Sequence, residues 1–183
     1  MPKPETRPAP VRKSPGNPDK SGKKGKVRLD RIDRRLLHEL QENGRITNVD
    51  LAKRAGISPP PCLRRVRALA REGFVRGFHA DINPELLGFG VTVFALVGLD
   101  SQAESDLVAF EEMVGQWPNV RECYMLAGEI DFILKVVAAD WDAYQRFITE
   151  KLTPAKNVAH VKSALTIRQS KAKPGVPVLA EKG

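Results

Sequence analysis

Hydrophobic and polar positions change rhythm along the 183 residues. From Leu29, apolar side chains recur every three or four positions at Ile32, Leu36, Leu37 and Leu40, the spacing of a helix with one buried stripe. Asp30 fits its N-cap, with Asp33 three residues on and Leu29 as the staple before it. Asn43-Gly44 ends the run. Thr47 then caps a short second helix with Asp50 at the third position, and Val49, Leu51 and Ala52 supply its inner face. Ala55-Gly56-Ile57 is a tight turn, and a third helix runs from about Pro59 to Glu72, closed by Gly73. Three short helices, the last two joined by a glycine-containing turn, predict a helix-turn-helix. The plain alternative is an ordinary three-helix bundle. Phe74 to Ala80 alternates enough for a strand or hairpin wing leading away.

From Val91 the pattern shifts. Val91–Leu99 and Phe132–Ala138 read as strands. Each precedes an amphipathic helix, the first carrying Leu107, Phe110 and Val114, the second Trp141, Tyr144, Ile148 and Leu152. Trp117-Pro118-Asn119-Val120 and Ala155-Lys156-Asn157-Val158, 38 positions apart, each open a further apolar run. Two β-α-β units in tandem predict a ferredoxin-like β-α-β-β-α-β domain. In Val91–Val97 and Ile133–Val137 both alternating sets are largely apolar. A half-solvated antiparallel sheet would alternate apolar with polar. Helices for one face therefore predict that a second copy of the chain covers the other, as a homodimer.

Charge divides the chain the same way. Residues 1–28 hold nine Lys/Arg against two acids and six of the fourteen prolines, with almost no large apolar side chain. They predict a disordered basic arm. Residues 29–80 are also basic, at net +5, whereas residues 81–183 sum to −4. A basic half fits a polyanion, and the other half fits a different partner. The arm has no apolar core, so a secretory signal is not expected. No apolar run approaches a membrane span. Two cysteines, Cys62 and Cys123, and three scattered histidines give neither a disulfide scaffold nor a metal site, and suit a reducing cytosol. With no phosphate loop and no serine elbow, an enzyme is disfavoured and no cofactor is expected.

The third helix carries the chemistry. On a helical wheel Cys62, Val66, Leu69 and Ala70 form a core face bordered by Leu63, and Arg64, Arg65, Ala68 and Arg71 point away with Arg67 on the flank. Such a stripe suits the second helix of a helix-turn-helix in the major groove of double-stranded DNA. Arg64 and Arg65, nearest its start, are assigned to base edges, and Arg67 and Arg71 to the backbone. Ser58-Pro59-Pro60-Pro61 opens the helix. Proline is tolerated there, but Ser58 then faces positions with no N–H to cap and its hydroxyl is left for phosphate or base. Proline disfavours helical geometry in the residue before it, which leaves a start at Pro61 as the alternative. Cys62 reads as a small buried hydrophobe.

The stretches LDRIDRRLLHELQENGRITNVDLAKRAGISPPPCLRRVRALAREGFVRGF (29–78) and ECYMLAGEIDFILKV (122–136) resemble the Lrp/AsnC family of transcription regulators. The resemblance covers about residues 29–170 and includes a G-x-x-D loop between two strands. It implies an α+β fold: an N-terminal winged helix-turn-helix and a C-terminal ferredoxin-like domain of the RAM type. The expected divisions are an arm at 1–28, the DNA-binding domain at 29–80, a linker at 81–90, the ligand-binding and oligomerisation domain at 91–170, and a frayed tail at 171–183. The family implies a cytoplasmic, nucleoid-associated dimer or octamer that bends DNA and senses an amino-acid effector. Carried over, the effector loop is Leu126, Ala127, Gly128, Glu129 and Asp131. Gly128 would allow close backbone approach to a carboxylate and Asp131 would take an ammonium group; the plain alternative is a hairpin turn. Pro60 and Arg64 stand where the family often has Thr and Glu, and Glu129 where Asp is common, which leaves operator and ligand preference open. The rival function is an architectural DNA-packaging protein with little sequence selectivity.

Overall fold

The computed structural model describes residues 28–178. The predicted arm, apart from Arg28, and residues 179–183 lie outside them. The chain divides into two compact units: the described residues up to Asp81 belong with 171–178, and Ile82–Ser170 form the other.

In the first unit the local signals are met almost residue by residue. Helix α1 (Arg31–Glu42) opens on a complete capping box. The Asp33 amide donates to Asp30 Oδ1 at 2.8 Å, and the Asp30 amide donates to Asp33 Oδ2 at 3.2 Å. Helix α2 (Asn48–Ala55) is capped by Thr47, whose Oγ1 accepts from the Asp50 amide at 3.1 Å. Gly56 ends it at φ +70°, a left-handed conformation that glycine adopts without penalty. Helix α3 (Pro59–Arg71) follows directly. It starts at Pro59, not at Pro61. Leu36, Leu51, Ala52, Cys62 and Leu69 form the core of this unit, with Ile32, Leu40, Val66 and Val75 against it.

Two expectations change here. Val49 is 63% exposed, not part of the inner face. It precedes Leu51 by two positions, and residues two apart on a helix face different ways. The segment from Phe74 to Ala80 forms no strand. Val75 joins the helical core instead, and the Phe78 ring lies against Gly44 in the turn after α1.

The tail is not simply frayed. Gln41, near the end of α1, holds the backbone of Val176 with both ends of its carboxamide. Its Nε2 donates to the Val176 carbonyl at 2.7 Å, and its Oε1 accepts from the Val176 amide at 3.0 Å.

The second unit begins with a 3-10 turn (Glu85–Leu87) in the expected linker, then β1 (Val91–Leu99), α4 (Glu104–Val114), β2 (Val120–Met125), β3 (Phe132–Ala138), α5 (Trp141–Phe147) continued by a π-helical turn (Ile148–Leu152), and β4 (Val158–Leu165). The sheet order is β2-β3-β1-β4 with every pair antiparallel, the predicted split β-α-β topology. Both helices lie on one face. Val93, Ala95 and Val97 of β1 and Phe132, Leu134 and Val136 of β3 pack there against Phe110, Val114, Tyr144, Phe147 and Leu152. The opposite face carries Thr92, Phe94, Leu96, Ile133, Lys135 and Val137, all half-buried. Register pairs Leu96 with Ile133 and Phe94 with Lys135. Gly98 of β1 faces His160 of β4 so closely that a Cβ would meet the imidazole ring.

Candidate functional site

The start of α3 is bare of its usual anchors. Ser58 is the N-cap and makes no side-chain capping bond, because proline fills the first turn. Its hydroxyl and the rings of Pro59 and Pro60 are exposed. Further along, Pro60, Arg64, Arg67 and Arg71 are all exposed. Steps of four, three and four residues place these side chains on one helical stripe, opposite Cys62 and Leu69. Among the described residues Arg64 and Arg67 make no ion pair; Arg71 has a long contact of 3.7 Å with Glu72. This stripe presents three guanidinium groups to one side. Ala70, expected in the core, is exposed.

Arg65 does not join that stripe. It follows Cys62 by three positions and precedes Leu69 by four, so it flanks the core face. Its Nη1 donates to Asp30 Oδ2 at 2.7 Å and to Asp33 Oδ1 at 2.8 Å. The side chain is 33% exposed. Hydrogen bonds from Asp33 and then Asp30 hold its proton more firmly than usual, while the Asp33 amide first and Arg65 after it hold the Asp30 carboxyl below its usual range. The assignment of Arg65 to base edges therefore meets a guanidinium already committed to α1. Helix α2 supplies a second hold, Asn48 Nδ2 donating to the Pro59 carbonyl at 2.9 Å.

The core of the unit contains one carboxylate. Glu39 is buried and accepts from Arg35 Nη2 at 2.7 Å and Arg54 Nη1 at 2.8 Å, tying α1 to α2. The Arg54 bond, with both arginine charges, outweighs burial and keeps its pKa low. Cys62 is fully buried and burial pushes its thiol up, as a core residue requires.

In the second unit Leu126, Ala127, Gly128 and Glu129 are exposed on the loop between β2 and β3, with Gly128 at φ +156°. Asp131 is different. It is 7% exposed and both carboxylate oxygens are taken, Oδ2 by the Leu99 amide at 2.7 Å and Oδ1 by Gln102 Nε2 at 2.8 Å. Its own amide donates to the Val97 carbonyl at 3.1 Å, and the Leu126 amide donates to its carbonyl at 2.8 Å. Asp131 thus fastens the base of the loop to β1 and is not placed to receive an ammonium group. Among the described residues Glu129 makes no ion pair, so it is the loop's available carboxylate. Sequence reading missed Asn48, Gln102 and the Asp30/Asp33 pair as partners. The acidic pair had a signal, since Arg65 lies on the core flank; the other two amides had none.

Among the described residues, no group of His, Cys, Asp and Glu could hold a metal ion, and no helix is long and apolar enough to cross a membrane. Residues 29–76 match a family described as winged helix-turn-helix DNA-binding, and residues 92–176 match the Lrp/AsnC ligand binding domain. A winged helix-turn-helix match in one unit and an Lrp/AsnC ligand-binding match in the other define a DNA-binding transcription regulator, not an enzyme. The chain is 49% identical over 146 residues to the leucine-responsive regulatory protein of Rhizobium meliloti (strain 1021), covering 80% of this chain and 94% of that one. It is 38% identical over 143 residues to the Escherichia coli (strain K12) protein of the same name, covering 78% and 87%. Among solved structures it resembles the transcriptional regulator NMB0573 in its L-Met complex from Neisseria meningitidis, with TM-score 0.78, 34% identity and coverage of 82% and 97%. An AsnC family transcriptional regulator from Agrobacterium tumefaciens gives TM-score 0.77, 33% identity and the same coverage. The chain belongs to the Lrp/AsnC family of transcription regulators.

Proposed function

We propose that the protein reads an operator through the exposed stripe of α3, as a homodimer closed by its sheets, and that an amino acid bound beside the loop after β2 modulates it. The observation that carries the reading is the alignment of Arg64, Arg67 and Arg71 on the solvent side of a helix whose other side is core. Arg64 lies nearest the helix start and is assigned to a base edge; Arg67 and Arg71 are assigned to phosphates. Ser58 and Pro60 border the same end, where the prolines remove the amides that would otherwise meet phosphate.

The open sheet face supports the dimer. Phe94, Leu96, Ile133 and Val137 occupy its middle, and the Glu122–Lys135 pair, at 2.9 Å, lies toward the β2 edge. A second copy buries such a face by two-fold symmetry and sets two reading helices for two half-sites. Further association to an octamer is compatible with the same interface. The amino-acid effector comes from the Neisseria relative, which was solved with L-Met. In this chain the loop amides around Gly128 would take the effector's carboxylate and Glu129 its ammonium group, while Asp131 holds the loop's shape. The cell compartment that fits is the cytoplasm, on the nucleoid.

Fragments of genomic DNA selected by the protein, with and without a panel of amino acids, test this. The expected result is a small set of related sequences whose occupancy shifts with one or a few amino acids. Uniform recovery of fragments would favour the architectural role, since backbone contacts alone bind without discrimination.

A further inference from the structure

A reading helix must be held in place to discriminate bases, and α3 lacks the ordinary means at its first turn. Ser58 caps nothing, and the first-turn prolines offer no amides. Two outside holds replace them: Asn48 on the Pro59 carbonyl, and Arg65 on the paired carboxylates of Asp30 and Asp33. The same two carboxylates cap α1. One cluster therefore fixes the start of α1 and the middle of α3 against each other.

We propose that Arg65 is a positioning residue for operator reading: clamped by Asp30 and Asp33, it sets the angle and depth at which the Pro60–Arg64–Arg67–Arg71 stripe meets DNA, and it does not touch DNA itself. This rests on the reading that α3 is the recognition helix. The arrangement has a consequence opposite to plain electrostatics. Acidic groups on a DNA-binding domain repel phosphate, so removing them should tighten binding. If Asp30 and Asp33 hold the clamp, removing their charge loosens the helix and weakens specific binding instead.

The test compares Arg65→Ala, the double variant Asp30→Asn/Asp33→Asn, and their combination in the full chain. Asparagine is as good an N-cap as aspartate, so the double variant keeps the α1 cap while discharging the clamp. Affinity for a selected operator and for random DNA is measured across a salt series. The clamp predicts that each variant lowers operator affinity by about tenfold, or ~1.4 kcal/mol. Random-DNA affinity falls in none of them. The salt slope of Arg65→Ala is unchanged, and the combined variant is no worse than either alone because both break one interaction. If Arg65→Ala does not fold at the assay temperature, the double variant, which retains Arg65, carries the comparison.

Three results overturn the proposal. One is operator affinity unchanged in the Asp30→Asn/Asp33→Asn protein. The second is tighter operator binding by that protein. The third is a flattening of the Arg65→Ala salt slope by about 0.9, the signature of one lost phosphate contact. An Arg64→Ala control separates the two levels. If it leaves operator affinity intact, the assignment of α3 as reader fails, whereas the clamp fails by any of the three results above.

Discussion

At the scale of single residues, two buried carboxylates decide local stability. Glu39, itself buried, joins the half-exposed Arg35 and Arg54 in the helix-turn-helix unit. Hydrogen bonds to a charged partner contribute about 1.5–3 kcal/mol, so Glu39→Gln should lower the unfolding free energy of this unit by about that much at neutral pH. Its pKa is depressed in the folded state. The contribution is therefore complete above the ordinary glutamate range and lost as pH falls through the lower folded value. A chemical denaturation series from neutral to acidic pH should show wild type and Glu39→Gln converging at the acid end; a constant gap would contradict the assignment. Asp131 plays the equivalent part in the sheet unit. Asp131→Ala strands the Leu99 amide and the Gln102 amide, and should cost about 1–3 kcal/mol. Hydrogen exchange should speed at Leu99 and Leu126 before it does in the middle of β1; unchanged exchange at both would remove Asp131 from its anchoring role. The i,i+4 spacing of Arg35 and Glu39 is visible in the sequence, but the Arg54 partner and those of Asp131 are not. The G-x-x-D pattern marked Asp131 as special, but its acceptors are filled by groups 29 and 32 positions away, which no local spacing reveals.

At the scale of elements, local rules were enough wherever the partners are local. Asp30 with Asp33, Thr47 with Asp50, and Gly56 each set a helix boundary through residues within four positions, and each was readable. The failures come from long-range packing. Phe74 to Ala80 alternates like a strand, but Val75 packs into the helical core, Phe78 lies against the turn at Gly44, and among the described residues this unit offers no strand for it to pair with. Arg65 reads as one arginine among four until its position relative to Cys62 and Leu69 is counted. The tail looked free because nothing near it in sequence holds it. Its tie to Gln41 spans 135 positions. Gln41→Ala should release residues 171–178 without unfolding α1, since an exposed neutral pair contributes about 1 kcal/mol or less. Limited trypsin digestion should then cut sooner after Lys171, with the melting temperature nearly unchanged. Equal cleavage rates would show that the carboxamide does not restrain the tail.

At the scale of the whole molecule, the sheet has two apolar faces and its helices cover one. The register assigns them: Val93 lies under the helices and Phe94 on the open side. Val93→Glu should therefore unfold the domain, because a carboxylate there is buried without a partner. Phe94→Glu should leave it folded and yield a monomer in sedimentation, with loss of tight operator binding. A folded Phe94→Glu protein that remains a dimer would move the interface elsewhere. The central claim is that the exposed arginine stripe of α3 discriminates sequence, and the most direct measurement is the ratio of operator to random-DNA affinity at one fixed salt concentration for wild type and Arg64→Ala. The structure predicts a collapse of that ratio through the operator term, by ~1–3 kcal/mol for a lost base contact, with random-DNA affinity nearly constant. An equal fall in both affinities, leaving the ratio intact, would contradict it.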